Sequence, residues 1–240
     1  MRHLFLLVLF FLAPLALLHC AQEQSDADDA ELRSYLEQVR SAAEQGHAKA
    51  QTNLGSLYHQ GQGVAQDYVE ARKWYLKAAL QGNADAQYGL GYLYADGQGG
   101  AQDYVEARDW FLKAALQGNA DAQVAIGSLY YLGKDDIAQD FVEFYAWFLK
   151  AAEQGDARAQ FGLGNLYSHG EVVAQDYTMA YVWLNLAASQ RDTNLIETKV
   201  AINMAADARD AVAAKLDAAL LAEAQKLSDE YFKLYVEPFQ

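Results

Sequence analysis

Five histidines, one cysteine and a column of evenly spaced aspartates are the groups with which this chain could do chemistry. A metal centre needs histidines, thiolates or carboxylates converging from a short spacing on one face. His3, His19, His47, His59 and His169 contain no such pair, and Cys20 has no second thiolate to join it in a disulfide or a zinc site. Asp67, Asp103, Asp140 and Asp176 recur at steps of 36, 37 and 36 residues. Carboxylates that share a proton or flank a scissile bond lie closer together than the ~10 Å between packed helices, so one aspartate per unit does not make an acid–base pair. Gly61-Gln62-Gly63 and Gly97-Gln98-Gly99 lack the strand before and the Gly-Lys-Ser/Thr after that a phosphate cradle requires. The histidines then belong to helix ends and loops, the aspartates are helix caps, and the glycine pairs are turns. No catalytic residue, no metal site and no cofactor are expected.

The elements that carry this spacing are repeated hairpins. All four tryptophans, Trp74, Trp110, Trp147 and Trp183, follow the same step, as do Tyr58, Tyr94, Tyr130 and Tyr167, and Gly61, Gly97, Gly133 and Gly170. The one step of 37 places an extra residue in a loop near Lys134-Asp135-Asp136, where it leaves stacking untouched. Each unit reads as two helices. The first, from about Ala50 to His59, puts Ala50, Leu54, Leu57 and Tyr58 on one face at three- and four-residue intervals. Gly55, Gly91, Gly127 and Gly164 fall inside it; a mid-helix glycine costs about 1 kcal/mol against alanine, so its recurrence marks close helix approach. The second helix opens at Asp67, whose carboxylate can accept from first-turn amides while Glu70 reaches back. It buries Ala71, Trp74, Tyr75 and Ala78 and stops at Gly82. Asn83, Asn119 and Asp156 then cap the next first helix. With prolines only at positions 14 and 238, nothing interrupts these helices.

The motif Ala-x-Ala-Gln-x-x-Leu-Gly-x-Leu-Tyr, followed by Gln-Asp-Tyr-x-x-Ala-x-x-Trp-Tyr-x-Lys-Ala-Ala-x-Gln-Gly, closely resembles the Sel-1-like repeats, a tetratricopeptide-like family, over roughly Ala48 to Ala188. The resemblance implies an all-α, right-handed superhelical solenoid of about four helix-turn-helix repeats. It also implies a member that acts as an adaptor for protein complexes, envelope biogenesis, signalling or host contact. Cysteine-rich relatives are described as β-lactam hydrolases; their paired cysteines are absent here, which leaves that branch a poor third.

The expected layout is a signal peptide over 1–21, an acidic lead-in over 22–30 and a capping helix over 31–46. Repeats follow over 47–82, 83–118, 119–155 and 156–191, then a helical cap over 192–240. In the first cap Gln38 stands where Trp74 would, which fits a helix with one face in water. In the last, Leu216, Leu220, Ala224, Leu227 and Tyr231 form an apolar stripe. The leader reading comes from Arg2 and His3 ahead of an uncharged run from Leu4 to Leu18, short for a permanent span. It makes the protein periplasmic or secreted. Leu17-Leu18-His19-Cys20 faintly matches a lipobox, with His19 against it; on that alternative Cys20 is the lipidated residue of an outer-membrane lipoprotein and the membrane becomes a partner.

A net charge of −14 argues against nucleic acid and against anionic lipid surfaces. If the repeat fixes the packing positions, binding falls to positions that share a face but change between units. These are Asp85, Tyr88 and Tyr92; Asp121, Val124 and Ser128; Arg158, Phe161 and Asn165. They are expected along a concave groove that holds a peptide or protein segment, the aromatics supplying stiff contact area; several of them could equally complete the inter-repeat core. Two functions follow: a protein-binding adaptor of the bacterial envelope, or an accessory protein for cell-surface polysaccharide.

Overall fold

The computed structural model describes residues 32–170, 172–190 and 196–239. The leader, the lead-in and Cys20 lie outside the described residues. The chain divides into two compact units, one ending at Gln81 and one beginning at Gly82. The first unit holds α1 (residues 32–44), α2 (Ala48–Gln60) and α3 (Tyr68–Leu80). The second holds α4 (Ala84–Asp96), α5 (Tyr104–Leu116), α6 (Ala120–Leu132), α7 (Phe141–Glu153), α8 (Ala157–His169) and α9 (Tyr177–Ala188). It closes with α10 (Ile196–Ala213), α11 (Ala218–Tyr235) and a 3-10 turn, Glu237–Phe239. The described residues form no strand; Lys134 and Ile137 make one isolated bridge in the lengthened loop.

Local chemistry sets each helix end. Asn83 caps α4 by accepting from the Ala86 amide at 2.9 Å, and α4 stops where Gly97 turns left-handed. Asp103 caps α5 by accepting from the amides of Val105 and Glu106, both at 3.0 Å. A reciprocal bond from Glu106 is not what holds the Asp103 amide: its N–H donates to the Tyr94 carbonyl at 2.9 Å. Asp67, Asp140 and Asp176 donate likewise to Tyr58, Tyr130 and Tyr167. The expected capping box is therefore half made, because the end of the preceding helix already takes that donor. The same bond fastens the two helices of a hairpin to each other.

Packing follows the expected stripes. In α5, Ala107, Trp110, Phe111 and Ala114 are buried, and the Lys113 ammonium lies 3.7 Å from the centre of the Trp110 ring. Lys77 over Trp74 and Lys150 over Trp147 repeat this at 3.8 and 4.1 Å; such contacts stabilise by about 0.5–1 kcal/mol at exposed sites. The mid-helix glycines are points of close approach. A Cβ on Gly127 would sit 2.6 Å from a ring carbon of Phe148, and Gly91 and Gly164 meet Phe111 and Leu184 in the same way.

Buried glutamines connect successive hairpins. Gln123 donates to the Ala115 carbonyl of the preceding hairpin at 3.2 Å and accepts from Gln154 of its own at 2.7 Å. Gln160 and Gln190 repeat the arrangement against Ala152. In the first unit Gln51 and Gln81 do so against Ala43. A polar group at such depth costs more than it contributes unless it is bonded, and each of these glutamines is.

In the first unit Gln38 is exposed and bonded to Ser34, while Val39 and Ala43 pack with Leu54, Leu57 and Trp74. At the other end α10 packs on α8 and α9, and α11 on α9. The expected stripe of the last helix needs one correction. Asp217 caps α11, so the helix starts at Ala218 and Leu216 belongs to the turn before it. Leu220 then falls off the inner face and is 42 % exposed. Leu221 takes its place, ahead of Ala224, Leu227, Ser228 and Tyr231.

Candidate functional site

All nine positions expected to line a groove lie in the second unit, and the structure gives them different work. At the N-terminal ends of the first helices, Asn119 donates to Asp85 at 3.0 Å, and Arg158 bridges Asp121 and Asp156. Burial opposes the Arg158 charge, but the two carboxylates outweigh it and hold the guanidinium ionised. These three residues tie neighbouring helices to each other. Midway along, Tyr88 is half-buried with its ring centre 5.8 Å from that of Phe111. Val124 packs against the core, and the Ser128 hydroxyl is taken by the Val124 carbonyl at 2.8 Å. Tyr92 stays exposed.

Phe161 and Asn165 meet in a concavity. It has a volume of about 680 Å³ and lies where α10 leans against α8. Phe161, Gly162, Asn165, Leu166 and His169 come from α8, Tyr131 from the end of α6 and Phe144 from α7; Met204, Asp207 and Ala208 come from α10. The wall is aromatic: the rings of Tyr131 and Phe144 are centred 5.0 Å apart, and those of Phe144 and Phe148 4.3 Å apart. Periodicity cannot reach the α10 side, because α10 stands outside the repeat. One departure from the repeat does point to the site: Phe144 stands where the other three hairpins have Ala71, Ala107 and Ala180, whereas Tyr131 falls at a position that changes in every unit. A Cβ on Gly162 would meet the Phe148 ring at 2.6 Å, so this glycine lets the aromatic wall close up to α8.

A smaller hollow of about 360 Å³ adjoins it, sharing Asn165, His169 and Ala208 and adding Ser168, Gln175 and Lys215. The His169 Nδ1 lies 2.8 Å from the Asn165 carbonyl. It also lies 3.0 Å from the Ser168 hydroxyl. Among the described residues no group of three or more His, Cys, Asp or Glu side chains could hold a metal ion, and no helix is long and apolar enough to cross a membrane.

Tandem helix hairpins define the class as an all-α solenoid. The chain belongs to the Sel1 repeat family, whose model matches residues 48–83, 84–119, 120–156 and 157–192. Among solved structures it is similar to a Sel1 repeat protein from Oxalobacter formigenes, with 31 % identity and a TM-score of 0.67 over 83 % of this chain and 79 % of that one. It is also similar to c5321, a protective antigen present in uropathogenic Escherichia coli strains that displays an SLR fold. There the identity is 27 % and the TM-score 0.52, over 85 % of this chain and 57 % of that one. No curated protein sequence matches the chain. Sel1 repeat proteins are generally protein-interaction scaffolds, and the family and fold are typically non-catalytic.

Proposed function

We propose that this protein is a non-catalytic adaptor of the bacterial cell envelope that seats a segment of a partner protein in the concavity between α8 and α10. One observation carries the reading: an open hollow walled by Tyr131, Phe144 and Phe161, with amide and carboxylate groups at its edge. Interaction sites characteristically combine rigid aromatic area with a few placed polar groups. The charged tip and apolar run of the first 18 residues support export, and mass spectrometry of the mature N-terminus separates cleavage near Ala21 from lipidation at Cys20. For binding, the immobilised chain is challenged with envelope extract beside its Phe161→Ala variant. A defined protein retained by the first and lost by the second is the expected result. Equal recovery on both, or capture of an envelope polysaccharide in place of protein, would refute the reading.

A further inference from the structure

We infer that the segment received between α8 and α10 carries a lysine or arginine beside a bulky apolar residue, and that Asp207 is the group that reads the cation. The inference rests on the adaptor reading above and specifies what that adaptor holds.

The apolar half follows from the surface around the hollow. Tyr131 is 41 % exposed and Met204 49 %, and both line the hollow. Phe141, its ring centred 5.9 Å from that of Tyr131, is also exposed. Scattered apolar residues on a surface carry no message, but a cluster of large ones around a concavity marks a contact site.

The charged half follows from how the neighbouring acids are used. Asp121 and Asp156 are taken by Arg158, and Asp210 by Arg209. Asp140 and Asp176 are taken by backbone amides at helix starts. Asp207 is exposed, lines the same hollow and makes no hydrogen bond or ion pair among the described residues. The other titratable groups in the lining are the Tyr131 phenol and His169, whose Nδ1 lies against the Asn165 carbonyl. A single carboxylate beside rings and a methionine is the complement of a side chain with an apolar stem and a cationic head, or of such a pair of residues. The charge of the whole chain, −14, attracts a basic segment and repels an acidic one before contact.

The test uses the full chain and a library of random displayed peptides as the probe, with the Phe161→Ala chain as the counter-selection. Enriched peptides are expected to pair Lys or Arg with Phe, Leu, Ile or Met within a turn's reach. One enriched peptide, labelled, is then titrated by fluorescence anisotropy. Phe161→Ala should weaken it at least thirtyfold or so, as loss of a central aromatic contact does. Asp207→Asn should weaken it roughly two- to fivefold, the effect of one charge pair at a solvated rim, and that difference should shrink in high salt. Met204→Gln, at an exposed position, reports on the hollow should Phe161→Ala unfold.

Enrichment of acidic or uncharged peptides that still need Phe161 or Met204 would overturn the charge inference and leave the adaptor reading standing. So would a basic peptide indifferent to Asp207→Asn. Failure to enrich any peptide would overturn both. Concentration-dependent dimers abolished by Met204→Gln would mean that a second copy occupies the site, and would overturn this inference as well.

Discussion

Replacing Gln123 by methionine should cost the protein about 1 kcal/mol, and the structure shows where that figure comes from. The side chain is 4 % exposed and makes two hydrogen bonds, donating to the Ala115 carbonyl at 3.2 Å and accepting from Gln154 at 2.7 Å. Methionine has nearly the same length and volume, so no cavity opens. Two bonds at roughly 0.5–1.5 kcal/mol each set the gross loss. Neither partner is stranded: the Ala115 carbonyl keeps the Gly118 amide at 3.0 Å, and the Gln154 amide reaches solvent. Burial of the thioether returns part of the loss, which leaves about 1 kcal/mol. Gln154→Ala should cost about 1–3 kcal/mol, since it leaves the oxygen of the buried Gln123 without its donor. The double variant should cost less than the sum by roughly 0.5–1 kcal/mol, because the two residues share a bond. Urea unfolding followed by tryptophan fluorescence and by far-UV circular dichroism measures all three, and coincident curves establish that the unit unfolds as one, which repeat arrays do not always do. Full stability in Gln123→Met would refute Gln123 as an energetic link between hairpins, and strict additivity in the double variant would refute the bond it shares with Gln154.

Three other outcomes are expected. Gly127→Ala should destabilise by up to about 2 kcal/mol, because crowding the Phe148 ring costs roughly 1–3 while the helix regains about 1; a raised urea midpoint would contradict the close-approach account. Asp103→Ala should cost about 1 kcal/mol in thermal or urea unfolding and Asp103→Asn only a few tenths, since the amide oxygen still caps; equal losses would mean that charge, not the two amide bonds, matters. Burial raises the phenols of Tyr75, Tyr130, Tyr167 and Tyr231 above the ordinary value, Tyr167 with further help from its bond to Tyr145. A group held neutral in the fold lends stability that is complete below the ordinary tyrosine value of about 10 and is lost as pH climbs through the raised one. An ultraviolet titration should therefore show part of the tyrosine signal ionising late and together with unfolding; one smooth transition near the ordinary value would refute it.

Local rules made most of the fold legible in the residues. The caps at Asn83, Asp103 and Asp140, the left-handed stop at Gly97 and the glycine under Phe148 each depend on contacts within one hairpin, and a repeat shows such contacts several times over. Gln38 in place of tryptophan was enough to mark α1 as a helix with an open face. The Glu106 contact expected at the cap was not made, because its donor goes to Tyr94, and the use of a backbone amide leaves no trace in side-chain pattern. In the stripe of α11 Ala224, Leu227 and Tyr231 kept their places and only Leu220 gave way, to Leu221, one turn from the cap at Asp217. The site was legible in part. Phe161 and Asn165 face the hollow, but Asp85, Asp121 and Arg158, chosen because they vary between repeats, tie helices together. The opposite wall depends on where α10 settles, which no period encodes; only Phe144, where every other hairpin has alanine, marked the aromatic wall facing it.

The amide of Asp140 reaches the Tyr130 carbonyl at 2.9 Å, as its counterparts reach theirs, although the loop between them holds one residue more. The surplus is absorbed between Lys134 and Ile137, with Asp135 taking a positive φ. Length at this bend is thus uncoupled from the stack on either side, so the bend offers a splice point. A short epitope or a fluorophore-bearing cysteine grafted beside Asp135 should be displayed in solvent while the helices below keep their register.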